Sequence, residues 1–350
     1  MRKSYISILV LFIVIVNISM TFKINVPSVT YKEKLSEYGF FEGKINQQKP
    51  SLGVMLYKLN SPLFSDYAQK LRFVRIPKGS TVAYNADSVF QFPVGTAIVK
   101  TFYYNKDDRN INKGRRLIET RVLLHEEKGW VSLPYIWNDE QTEATLEVAG
   151  GNTMVSYLDD LGNKKEFEYS VPNMNQCKSC HERNGVMSPI GPSARQLNGE
   201  HEYETGNENQ LSKWAHEGML KNLPDDMKSI PQFVNYSDAS KSLDSRARAY
   251  LDINCAHCHN KAGQAQTSGL YLDWKTTDST AYGFYKTPIA AGRGSGDLKF
   301  DIDPGKPNES ILWYRMNSTD PGIMMPEVSR KLIHAEGVAL ISEWIKAMKN

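Results

Sequence analysis

Two short stretches constrain this chain more than anything else in it: Gln176-Cys177-Lys178-Ser179-Cys180-His181 and Asn254-Cys255-Ala256-His257-Cys258-His259. Each holds two cysteines separated by two residues, with a histidine directly after the second. The chain has four cysteines, and the two boxes use all of them, which leaves none for disulfides. Thiols at that spacing on one turn reach the two vinyl groups of a porphyrin. The histidine that follows falls beneath the ring as an iron ligand. The pattern is that of covalent c-type haem attachment, with two haems per chain. Cys177, Cys180, Cys255 and Cys258 are the thioether donors, and His181 and His259 are the iron ligands. Other uses of paired cysteines explain less. A four-cysteine zinc ribbon needs a shorter gap between pairs and gives no reason for either histidine. A thioredoxin-like motif explains one pair inside a βαβ unit, not a doubled box.

The N-terminus agrees with export. Met1-Arg2-Lys3-Ser4 is basic, and the apolar run from Tyr5 to Met20 is broken only by Ser7, Asn17 and Ser19. Residues 1–22 read as a secretory signal or N-terminal anchor. Ser19-Met20-Thr21 is a poor cleavage site, and the run is short for a full membrane span. Such an uncleaved segment is the one membrane contact the sequence offers. The expected location is periplasmic or extracellular, the side on which bacterial c-type haem is attached. A net charge of +3 with no basic run excludes a polybasic nucleic-acid surface.

Residues 21–37 read as a leader or linker. Residues 38–172 are rich in β-branched and aromatic runs separated by turn residues. Ala97–Tyr104 and Arg116–His125 are strand candidates. Met154–Leu158 and Lys165–Val171 pair as a hairpin across Asp159–Asn163, and a short helix is expected within Leu52–Leu71. This predicts an all-β sandwich or barrel. His125, the single histidine of that region, reads as structural, and the aromatics between Trp130 and Trp137 read as core.

The first haem segment is expected over 173–231. Pro172 limits any helix leading into its box. Ile190-Gly191-Pro192 resembles the Gly-Pro that follows the haem box in many small cytochromes c, and the resemblance implies that its neighbourhood accepts a hydrogen bond from the proximal imidazole. Thr205-Gly206-Asn207-Glu208 reads as a capping box for a helix over Glu208–Lys221, with Leu211, Trp214, Ala215 and Met219 inward. The second segment spans 237–350. Leu243, Ala247, Tyr250, Leu251 and Asn254 form a helical stripe running into Cys255, and Pro307–Arg315 forms a middle helix. Val338, Ile341, Trp344, Ile345 and Met348 form a terminal one. Met325, in Met324-Met325-Pro326, is the expected sixth iron ligand of the second haem, with Met324 as the alternative. For the first haem, Met187, Met219, Met227, His201 and His216 are candidates; none is followed by proline, and Met187 lies too soon after His181 to reach the opposite face easily, so a weak or absent sixth ligand is expected. The fold class expected is multidomain β plus α: an N-terminal all-β sandwich or barrel followed by two mainly α cytochrome c-like haem segments.

Ile118-Glu119-Thr120-Arg121, Tyr135-Ile136-Trp137-Asn138, Ile190-Gly191-Pro192 with Gln196-Leu197-Asn198, and Arg246–Leu251 running into the second box extend the pattern. With Asp303-Pro304-Gly305 and Met324-Met325-Pro326, they resemble a poorly characterised family of secreted bacterial di-haem c-type cytochromes with an N-terminal β domain. The resemblance implies single-electron transfer with a redox partner protein. Because some relatives are paired with a secreted β-helix protein, it points to a β-rich partner. The alternative is a peroxidase-like or substrate-oxidising haem enzyme, with the first haem open and the second relaying electrons. A third reading is a structural or carbohydrate-binding β module carrying electron-transfer segments.

Overall fold

Ala97-Ile98-Val99-Lys100-Thr101-Phe102 sends alternate side chains to opposite faces of a strand, and nearly all of them are buried. A sheet of such strands must be covered on both sides. The computed structural model describes residues 31–349 except 205, 290 and 329; the expected signal at 1–22 lies outside the described residues. The strands run as β1 (Val54–Tyr57), β2 (Gln69–Arg75), the short β3 (Val82–Ala83), β4 (Ala97–Asn105), β5 (Arg115–Glu126), β6 (Gly129–Trp137), β7 (Ala144–Leu146), β8 (Gly151–Leu158) and β9 (Lys164–Val171). Six of them form an antiparallel sheet in the order β1-β2-β4-β5-β6-β7, and β8–β9 is a separate hairpin.

Register places Phe73, Val99, Val122 and Leu133 side by side on one face. Residues 35–41 cover it. Tyr38 stacks on Phe40 with ring centroids 5.0 Å apart and meets Tyr135 edge-on, while Phe41 meets Phe73. Part of the expected linker is therefore structural: Leu35 is buried, and the Tyr135 hydroxyl donates to the Lys32 carbonyl at 2.8 Å.

The opposite face is divided along the strands. At one end Val74, Ile98 and Leu123 join Phe90, Phe92, Leu197, Leu211 and Trp214. At the other, Phe102, Tyr104 and Ile118 pack under the hairpin through Val155, Tyr157, Tyr169 and Val171. Between them Arg72, Lys100 and Arg121 lie directly opposite one another in register. Helix α1 (Met174–His181) packs beside β6 there.

After α1 come the hairpin β10 (Glu182–Arg183) and β11 (Val186–Met187), α2 (Ala194–Leu197), the hairpin β12 (Glu200–Tyr203) and β13 (Gly206–Asn209), α3 (Gln210–His216), and β14 (Leu220–Lys221). The last pairs in parallel with β3. The helix expected over 208–221 is shorter, because Glu208 is taken into a strand and the Asn209 side chain caps Leu211 N–H. Its inward Leu211 and Trp214 serve the sheet. Farther on, α4 (Leu243–Asn254), α5 (Ile311–Met316) and α6 (Ala335–Lys346) share a core of Ala247, Tyr250, Leu251, Leu312, Ile341 and Trp344. α4 and α6 meet at Gly337, where an added Cβ would lie 2.3 Å from the Tyr250 hydroxyl.

This corrects the expected fold class. Strands take 27% and helices 23% of the described residues, and neither haem-box segment is mainly α. Over 173–231 the helices have eight, four and seven residues. Strand pairs and turns fill the rest. Between α4 and α5 only short 3₁₀ turns interrupt loop. The physical reason is punctuation: glycine, proline, asparagine and aspartate recur through 260–308, and the apolar residues of 194–230 are placed to cover a sheet. The six-stranded sheet does not close, so no barrel forms. Residues from Lys32 onward make one compact unit. No described helix is long and apolar enough to cross a membrane.

The β1–β2 connection carries no helix, contrary to expectation, because it ties the molecule together. Asn60 and Ser61 bond to Gln196, Arg195 and Asn198. Phe64 N–H donates to the Asn254 side chain at 2.8 Å, and the Asp66 carboxylate accepts from Lys331 and Leu332 N–H. Trp214 is 0% exposed and touches Tyr57 and Phe92. Trp214→Ala should therefore cost about 3–5 kcal/mol and unfold sheet and segment in a single transition, checked by denaturant titration.

Candidate functional site

α1 starts immediately after Pro172-Asn173, where the Asn173 side chain accepts from Gln176 N–H and the Gln176 side chain accepts in return. Its eight residues carry Cys177, Cys180 and, at the last position, His181. Cys177 is buried, and Cys180 is partly buried. The second box follows the end of α4 in a tight turn, with Cys258 and His259 N–H both donating to the Cys255 carbonyl. Asn184 N–H bonds to the Ala262 carbonyl at 2.8 Å, and Arg195 pairs with Asp252 at 3.3 Å. These contacts bring boxes 78 positions apart to one place.

Both boxes line one cavity, which reaches Cys177, Cys180, Cys255, His181 and His259. Its apolar wall is Leu63, Ile190, Leu270, Leu272, Leu312 and Val338. Inside it, His181 Nδ1–H donates to the Ser188 carbonyl at 2.8 Å, two positions before the expected acceptor region. That bond fixes the tautomer and leaves Nε2 as the free lone pair. Burial, then the Lys100 charge, push His181 down to about 4. Burial and neighbouring His257 do the same to His259. Both imidazoles are thus neutral, the form that binds a metal.

Ligand atoms of Cys180, His257 and Cys258 lie within 4.8 Å of one another. Hydrogen bonding from Cys258 holds Cys180 far below the ordinary thiol range, while Cys258, which keeps the shared proton, is pushed up. Met325 lines the cavity with His259, its N–H bonded to the Arg315 carbonyl at 3.0 Å. Met324 is buried and does not line it. None of the candidates for the first site reaches the cavity. His201 is packed on Tyr203, His216 bonds to Glu208, Met219 and Met227 join the Trp214 core, and Met187 sits in β11.

The residues fit covalent haem. Cys177, Cys180 and Cys255 line one cavity with His181, His257 and His259; the His181 ring is oriented by Ser188, and the buried Nδ1 atoms of His257 and His259 have no hydrogen-bond partner. Comparison with models of known families, with curated proteins and with solved structures finds no match.

Three features escaped the sequence reading. His257 lies inside the second box, between its cysteines. His334 also lines the cavity, stacked on Phe64 at 4.2 Å and 3.1 Å from the Tyr250 hydroxyl. The third is the cation row. Arg121 makes two bonds to Glu119, at 2.8 and 2.6 Å, and Tyr169 donates to the same carboxylate at 2.6 Å. Beside them Lys100 is pushed down to about 7 by burial, Arg121 and Arg72. The available signal was alternation: Lys70, Arg72, Lys100 and Arg121 occupy positions where strands of this kind carry apolar residues.

Burial lowers His334 to about 4, whereas the unfolded side chain titrates near 6.5. The unfolded chain therefore binds this proton first. The contribution of neutral His334 is complete above about pH 6.5 and is lost as pH falls toward 4. His334→Gln should flatten the fall of unfolding free energy between those values by about one proton, measured by denaturant titration across pH.

Proposed function

We propose that the chain is an exported di-haem electron-transfer protein, with haem on Cys177, Cys180 and His181 and on Cys255, Cys258 and His259. The observation that carries the proposal is convergence: two Cys-x-x-Cys-His boxes line one apolar cavity, and their second cysteines approach each other. When bound, the haems supply reversible one-electron chemistry. The chain's own residues do the rest. Ser188 orients the His181 ring through Nδ1–H, and Leu63, Ile190, Leu270, Leu272, Leu312 and Val338 supply an apolar wall. Met325 lines the same cavity as His259 and would offer a thioether to the second haem. The sequence resemblance supports a redox partner protein, and the N-terminal residues 1–22 support export.

The enzyme reading has one specific support: among the described residues Met316 and Met325 are the methionines that line the cavity, so the first iron would lack a thioether of its own. A second competing reading rests on the Cys180–His257–Cys258 group, whose thiols and imidazole suit a soft transition metal without porphyrin.

Protein purified from the exported fraction should give a pyridine haemochrome of two haems per chain. A stoichiometric non-haem metal with no haem would favour the cysteine–histidine group instead. His259→Ala should change the spectrum of one haem only, and Met325→Ala should lower the potential of that same haem. Carbon monoxide binding to one reduced iron would favour the enzyme reading, and binding to neither the carrier.

A further inference from the structure

The centre of the sheet face under α1 poses a charge problem. Arg72, Lys100 and Arg121 face one another across three strands, and Lys70 is close enough that all three lower its affinity for a proton. Arg72 is 7% exposed. Two carboxylates lie nearby. Glu119 is committed to Arg121 and Tyr169, and Asp66 to the N–H groups of Lys331 and Leu332. Among the described residues, neither the Arg72 guanidinium nor the Lys100 ammonium makes a hydrogen bond or an ion pair; the Lys100 ammonium rests 4.9 Å from the Phe102 ring centroid. Other cations of the cavity have partners: Arg330 bonds to the carbonyls of Met316, Leu332 and Ser318 through its two terminal nitrogens, and Lys286 pairs with Asp301 at 3.0 Å.

Buried charges persist where they are paired. Here the protein supplies two cations too many, and Lys100 and Arg121 open onto the cavity beside Gln176, Cys177 and His181. We infer that Lys100, with Arg121 and Arg72 behind it, forms an anion site in this cavity that takes a carboxylate or a small oxyanion. Two sources share that chemistry: a propionate of the porphyrin seated on the first box, or a freely exchanging anion that reaches the first iron. The propionate source rests on the haem reading above, whereas the exchangeable source does not.

The test titrates the purified full chain with sodium acetate, sodium nitrite and inorganic phosphate by calorimetry, for wild type, Lys100→Gln and Lys100→Arg. Saturable binding that weakens at least about thirtyfold in Lys100→Gln and returns in Lys100→Arg supports an exchangeable anion. If none of the three salts binds, but Lys100→Gln lowers the midpoint potential of one haem and Lys100→Arg restores it, the anion is the propionate. Should Lys100→Gln not fold, Arg72→Gln takes its place. The inference is overturned if no anion binds and neither haem potential moves, or if anion binding persists unweakened in Lys100→Gln. A chain that proves to hold no haem still reports on the exchangeable anion, so failure of the haem reading and failure of this one are separable.

Discussion

A six-stranded sheet with two apolar faces cannot stand in water, and the covering of those faces organises the rest of the molecule. One face is closed by residues 35–41 together with the buried Gln48. The other is shared among three segments distant in sequence: the β8–β9 hairpin, α1 with the first cysteine box, and residues 194–230 around Trp214. The segment that holds the first box is therefore also the lid of the sheet. Burying Trp214, Leu211 and Leu197 contributes the apolar stabilisation that keeps α1 in place over polar ground.

That polar ground is what sets the site apart from an ordinary core. Glu119 is 0% exposed and would be untenable alone, but Arg121 and the Tyr169 hydroxyl satisfy it. The hairpin thus contributes to the cavity through Tyr169 as well as through its apolar side chains. The second box is held differently, at the end of α4. There the Asn254 side chain bonds back to the Tyr250 carbonyl and accepts from Phe64, and α6 presses on Tyr250 through Gly337.

Much of this was legible in the residues, and the parts that were not have physical reasons. The strands over 97–104 and 116–125, the 154–171 hairpin, the helix running into Cys255 and the C-terminal helix appear where alternation and periodicity placed them, the hairpin's first strand starting three residues earlier, at Gly151. Periodicity failed over 208–221, because the residues that look like the inner face of a helix cover a sheet that is distant in sequence. It failed again over 52–71, where Asn60, Ser61 and Asp66 bond to partners more than 130 residues away. Such bonds leave no local trace. The cation row was visible as four basic residues in strands, but only the register shows that three of them are neighbours. His334 was invisible for the same reason, since its place in the cavity depends on Phe64 and Tyr250.

The β1–β2 connection also bears on the order in which the molecule is assembled. Asp66 grips the backbone at Lys331 and Leu332 across 265 and 266 positions, and closures of that range come after local structure because their entropy cost is met late. Until that clasp forms, the wall that encloses Cys177 and Cys255 is missing one side. Cys177 is therefore open to chemical modification in the nascent chain and buried in the finished one, whereas Cys255 keeps part of its surface exposed.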